Sequence, residues 1–135
     1  MTPREARDRF AAARVARLAS ADAAGRPHLV PIVFALDGDR IYSAVDAKPK
    51  RTTALRRLAN VRENPAVAVL VDHYDDADWS ALWWARAEGS ARVLSPEVRE
   101  ARHARALLAA RYPQQRVTGS VLVVDVERWS GWSAS

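Results

Sequence analysis

The sequence predicts one mainly β domain over residues 1–135: a six-stranded antiparallel barrel with about three helices inserted between its hairpins. Three observations lead there. Short apolar runs are separated by turn signals, of which Asp37-Gly38 is the strongest hairpin marker. Helical segments are too few to alternate with every strand, which argues against βαβ units. No internal repeat or linker divides the 135 residues, and at 49% hydrophobic composition they suffice for one core without staples.

The elements follow in order. Thr2-Pro3-Arg4-Glu5 reads as a capping box with proline in the first turn, so a helix should run to about residue 13. Residues 15–19 form a first strand and 20–26 a turn. Residues 28–36, apolar at almost every position, form one long second strand. Pro31 within it cannot donate to a ladder, so that strand lies at an edge or carries a bulge. Residues 40–45 form a third strand. A second helix spans about 52–60 and stops at Asn64-Pro65. Residues 66–71 are uninterruptedly apolar and should be buried on both faces. A long fifth strand, 81–93, alternates Leu82, Trp84, Arg86 and Glu88 against Trp83, Ala85 and Ala87, with Gly89 marking a bend. Ser95 caps a third helix whose core stripe is Val98, Ala101, Leu107 and Leu108, and Pro113 ends it. Residues 120–129 form the sixth strand, and 130–135 a tail.

Composition excludes several classes of function. The chain has no cysteine, which removes disulfides and thiolate chemistry together. No secretory signal or apolar run of spanning length is present, so a soluble cytoplasmic protein is expected, with no membrane partner. Net charge is +5, but acids interleave with the basic residues along helices and strands, which argues against nucleic-acid binding. The five glycines are isolated, so no glycine-rich phosphate loop exists. His28, His73 and His103 lack ligand spacing, and no metal site is expected.

Of 21 lysines and arginines only Lys48 and Lys50 are lysines, and both lie in Lys48-Pro49-Lys50-Arg51. That segment follows a strand and precedes a helix. With Thr52 and Thr53 it presents two ammoniums, a guanidinium, two hydroxyls and the free amides of a helix start, a suitable cradle for a phosphate. Arg56 and Arg57 extend the positive surface toward a longer anionic tail. Trp129-Ser130-Gly131-Trp132 has three open placements: plugging the domain's own core, packing on a partner subunit, or stacking near a planar cofactor.

These motifs resemble the pyridoxamine 5'-phosphate oxidase-like split barrels. Gly25-Arg26-Pro27-His28-Leu29-Val30-Pro31 is similar to that family's second-strand motif. Tyr42-Ser43, the Lys48-to-Leu55 segment and Asn64-Pro65 resemble its phosphate-binding strand, loop and helix. The loop, Trp83-Trp84-Ala85-Arg86-Ala87-Glu88-Gly89 and the terminal tryptophans look closer to the deazaflavin-using branch. The resemblance implies a six-stranded split β-barrel, a homodimer with cofactors in clefts at the subunit interface, and an oxidoreductase transferring hydride between reduced coenzyme F420 and a small organic acceptor. FMN is the alternative cofactor, and a non-enzymatic F420 carrier the alternative role. By carry-over, Lys48, Lys50 and Thr53 hold the cofactor phosphate with Arg51 and Thr52 assisting. Tyr42, Ser43 and the backbone of Val30, Pro31 and Ile32 line the ring or its ribityl chain, and Trp129 or Trp132 approaches the ring from the partner. No residue stands out as catalytic; His28, Tyr74 and solvent are the proton sources at hand. The pyridoxal-binding residues of true oxidases have no counterpart in this short C-terminus, which argues against vitamin B6 oxidation. Lysine in place of arginine in the loop forfeits bidentate phosphate contact.

Overall fold

A computed structural model describes residues 1–44 and 52–135. Helices α1 (Pro3–Ala12), α2 (Thr52–Glu63) and α3 (Arg99–Arg111) accompany strands β1 (Ala16–Ala21), β2 (Pro27–Ile32), β3 (Ala35–Asp37), β4 (Arg40–Ala44), β5 (Ala66–His73), β6 (Trp83–Leu94) and β7 (Val121–Ser133). A short 3₁₀ turn, Trp79–Ala81, lies between β5 and β6. All seven strands join one antiparallel sheet in the order β2-β1-β5-β6-β7-β4-β3. The edge strands β2 and β3 are separated in the chain only by Val33 and Phe34. The sheet therefore curls until the end of β2 lies near the start of β3, with both edges unpaired, which gives the half-barrel.

The sheet has seven strands rather than six, because residues 28–36 break in two. The backbone of Phe34 leaves the ladder and bonds to α3 instead. Its N–H donates to the Tyr112 hydroxyl at 3.3 Å, and its carbonyl accepts from that hydroxyl at 3.0 Å and from Arg111 at 3.3 Å. Pro31 sits on edge strand β2, opposite Arg17 of β1, and an edge is where a strand tolerates proline.

Thr2 and Glu5 form the capping box of α1, each accepting from the other's backbone N–H at 3.1 Å. Buried Ala6 and Phe10 of α1 enter the barrel core, where the Phe10 ring meets Phe34 and Trp129 edge-on at 5.8 and 5.2 Å. Leu58 and Val61 bring α2 onto the same core, and the Asn60 amide donates to the buried Ser20 hydroxyl at 3.2 Å. The β3–β4 hairpin turns through Gly38 and Asp39, with Gly38 at φ 59°.

Three further expectations change. In β5, Val67, Val69 and Val71 are buried while Leu70 is 37% exposed, so the strand is covered on one face only. β7 continues through the expected tail to Ser133, because Ser130, Gly131, Trp132 and Ser133 pair with Arg86, Ala85, Trp84 and Trp83. α3 starts at Arg99, after a turn at 95–98, and has no side-chain cap. Arg102 and Arg105 take the Glu97 and Pro96 carbonyls, and the buried stripe is Ala101, Ala104 and Leu108, with Val98 exposed.

A charged network fastens α3 to the sheet. Arg92 of β6 donates to Asp125 at 2.7 and 3.1 Å and to Glu100 of α3 at 2.7 and 3.0 Å. Arg40 of β4 lies 3.3 Å from each carboxylate.

Candidate cofactor site

Strand alternation decides where the expected site residues point. Tyr42 and Ser43 are consecutive in β4 and face opposite sides. Tyr42 is fully buried beneath α3 with Ala101, Ala104, Val121 and Val123, and its hydroxyl donates to Glu100 at 2.9 Å. Burial and the Glu100 contact push its pKa up. Ser43 is buried next to Leu122, a member of the main core. Val30 and Ile32 also point into that core, while Pro31 and the neighbouring Leu29 face out, Leu29 at 67% exposure. The strand carries this segment on a free sheet edge.

Beyond Ala44, the expected Lys48, Lys50 and Arg51 lie outside the described residues. Thr52 and Thr53 open α2. Residues 47–62 carry Lys48, Lys50, Arg51, Arg56, Arg57 and Arg62 and no acidic residue. The second turn of α2 brings part of that charge to β2. Arg56 and Arg57 act on His28, whose pKa is pulled down first by burial and then by these two guanidiniums. Two solvent-shielded nitrogens in this corner, His28 Nδ1 and Arg57 Nε, lack a hydrogen-bond partner. Polar atoms of this kind are costly to leave unpaired and suit an anionic ligand group.

The two terminal tryptophans separate. Trp129 packs on Phe10 inside the barrel, and its indole N–H donates to Asp39 at 2.9 Å. Trp132 is 47% exposed on the other face, directly across from Trp84. It borders an open hollow of about 140 Å³ shared with Asp72, Tyr74, Trp83 and Trp84. His73 lines the same hollow and stacks on Trp83 at 6.3 Å. Tyr74 donates to Asp76 at 2.8 Å.

The structure thus brings β2 and the second turn of α2 together in one basic corner and leaves Trp132 at the far end of β6. Sequence reasoning missed two features of the site: the Ser20–Asn60 pair that seats α2, and the withdrawal of Arg57 from water. Its position four residues before the apolar Val61, on the same face of α2, was the available signal.

Comparison with known proteins agrees with this architecture. The family model described as pyridoxamine 5'-phosphate oxidase matches residues 2–133. Among solved structures, a conserved hypothetical protein of Mycobacterium tuberculosis superposes with a TM-score of 0.76 at 22% identity, over 99% of this chain and 86% of that one. A FAD-binding protein of Mesorhizobium loti gives 0.75 at 21% identity, over 97% and 94%. A FAD-binding protein of Mycobacterium smegmatis gives 0.65 at 18% identity, over 98% and 94%. Comparison with curated proteins finds no match. With nearly its whole length matched and the same curled sheet, the chain belongs to the pyridoxamine 5'-phosphate oxidase family.

Proposed function

We propose that this chain binds a flavin-type cofactor, FMN or FAD, at the corner between β4 and α2, and works as an oxidoreductase on a small organic acceptor. The carrying observation is that Arg56 and Arg57, from a stretch, 47–62, with six cations and no acid, meet His28 on edge strand β2. Family membership supports the reading, as do the two similar folds described as FAD-binding. The shielded nitrogens of His28 and Arg57 fit an anionic cofactor group.

Lys48, Lys50 and Arg51 would hold the phosphate, with Thr52 and Thr53 at the helix start. The outer edge of β2, at Val30, Pro31 and Ile32, would face the ring system. When bound, the cofactor supplies the hydride chemistry; the chain supplies binding, orientation and exclusion of water. Burial pulls the His28 pKa down, so solvent rather than His28 would supply the proton. A second copy of the chain would complete the cleft by covering the outward face that carries Leu29, Pro31 and Leu70.

The deazaflavin F420 is the second reading, favoured by the surplus of cations over what one phosphate needs. Tryptophan quenching during titration of dialysed protein with FMN, FAD and F420 separates the cofactors. Acceptor reduction by the loaded, reduced protein then tests the enzyme reading. Tight binding without turnover across acceptors would instead make the chain a carrier.

A further inference from the structure

At the His73 end of β5, three strands set a carboxylate and two indoles in one row. Asp72 of β5 lies opposite Trp84 of β6, and Trp84 lies opposite Trp132 of β7. Directly opposed residues share one face of the sheet and stand within contact range of each other. In the next row His73 stacks on Trp83 at 6.3 Å, and the Tyr74 hydroxyl is fixed by its bond to Asp76 at 2.8 Å. All six of these lining side chains, from Asp72 to Trp132, border the open hollow of about 140 Å³. A cavity of about 150 Å³ accepts a benzene ring, so the hollow has room for one small ring or a quaternary ammonium head.

The faces of aromatic rings attract cations. Two of the walls already show this within the fold. The Arg9 guanidinium lies over Trp83 at 4.7 Å, and that of Arg86 lies over Trp84 at 5.1 Å. Neither arginine lines the hollow, and Arg86 is tied to Glu88 at 3.4 Å. Among the described residues no guanidinium lies over the half-exposed Trp132. The local charge has the matching sign. Residues 72–85 hold four aspartates and no lysine or arginine, in a chain whose net charge is +5. Asp72, the aspartate that borders the hollow, makes no ion pair among the described residues.

We propose that this hollow binds an organic ammonium cation, held against the indoles of Trp84 and Trp132 with Asp72 as its counter-charge. An anion would be repelled by the carboxylate, and a neutral ring would gain nothing from it. The site is separate from the basic corner and does not depend on the flavin-type reading.

The test is a calorimetric titration with choline, compared with its uncharged isostere 3,3-dimethyl-1-butanol. Choline should bind wild type at least about tenfold tighter than the alcohol. Trp132→Ala should weaken choline binding at least about fivefold, and Trp132→Phe should keep part of it because a ring face remains. Asp72→Asn should weaken choline binding while leaving the alcohol within about twofold of wild type. Melting temperatures show whether each variant folds, and the exposed Asp72→Asn decides the matter if Trp132→Ala does not. Equal affinity for choline and the alcohol would make the hollow merely apolar and overturn the proposal. Choline affinity unchanged in Asp72→Asn or in folded Trp132→Ala would also overturn it, as would undetectable binding at millimolar choline. Undetectable binding together with a fall in mass of Trp132→Ala by light scattering would assign the hollow to a second copy of the chain instead.

Discussion

Gly89 has no room for a side chain. A β-carbon there would collide with the Asp125 carbonyl oxygen and sit 3.0 Å from the Val126 α-carbon, because the β6–β7 register shifts between Glu88 and Gly89. Gly89→Ala should cost about 1–3 kcal/mol in chemical denaturation, since backbone rather than a flexible side chain must move. The sequence marked this position as a bend but could not tell a bulge from a corner, because the opposing residue, Val126, lies far along the chain. Tyr42 illustrates a different limit. Its place in β4 was legible, whereas the face it occupies depends on α3 lying above it. Tyr42→Phe removes the bond to Glu100 and should cost about 1 kcal/mol of stability. Cofactor affinity, measured in parallel, should stay the same, because the ring is buried beneath α3. Trp129 and Trp132 could not be told apart from their spacing alone; the strand places them on opposite faces.

At the scale of elements, local signals served well where one segment decides its own fate. The capping box of α1 and the Asp37-Gly38 hairpin are of this kind. They failed where a distant segment competes for backbone groups. Residues 28–36 look like one strand until Tyr112 and Arg111 claim Phe34. Residues 130–133 look like a tail until β6 pairs with them. The docking of α3 gives a pH prediction. Hydrogen bonds from Arg92 hold the Glu100 and Asp125 carboxyls below their ordinary values. Their contribution is therefore present above the usual carboxylate range and is lost as pH falls below that range, through the lowered folded values. Arg92→Gln should cost about 1 kcal/mol at pH 7, the partial exposure of the network limiting the effect. In thermal melts, the gap from wild type should shrink below about pH 4.

The order of the strands was the least legible feature of the molecule. The β1–β5, β4–β7 and β6–β7 pairings join segments far apart in sequence, and hydrophobic periodicity carries no information about neighbours. The basic corner was legible in part. The lone lysine pair stood out by composition, but the approach of Arg56 and Arg57 of α2 to His28 of β2 did not. Among the described residues no helix is long and apolar enough to cross a membrane. The exposed face bearing Leu29 and Leu70 leads to an assembly prediction. The protein should be a dimer by light scattering, and Leu70→Glu should shift it toward monomer and weaken cofactor binding together. A monomeric wild type would remove the shared cleft.

The most direct measurement is the cofactor affinity of Lys50→Ala against wild type, followed by tryptophan quenching with the tightest of FMN, FAD and F420. Loss of one charge-assisted bond to the phosphate should weaken binding by about 1–3 kcal/mol, with the melting temperature of the ligand-free protein unchanged. An affinity equal to wild type would contradict the assignment of this basic segment as the grip on the cofactor.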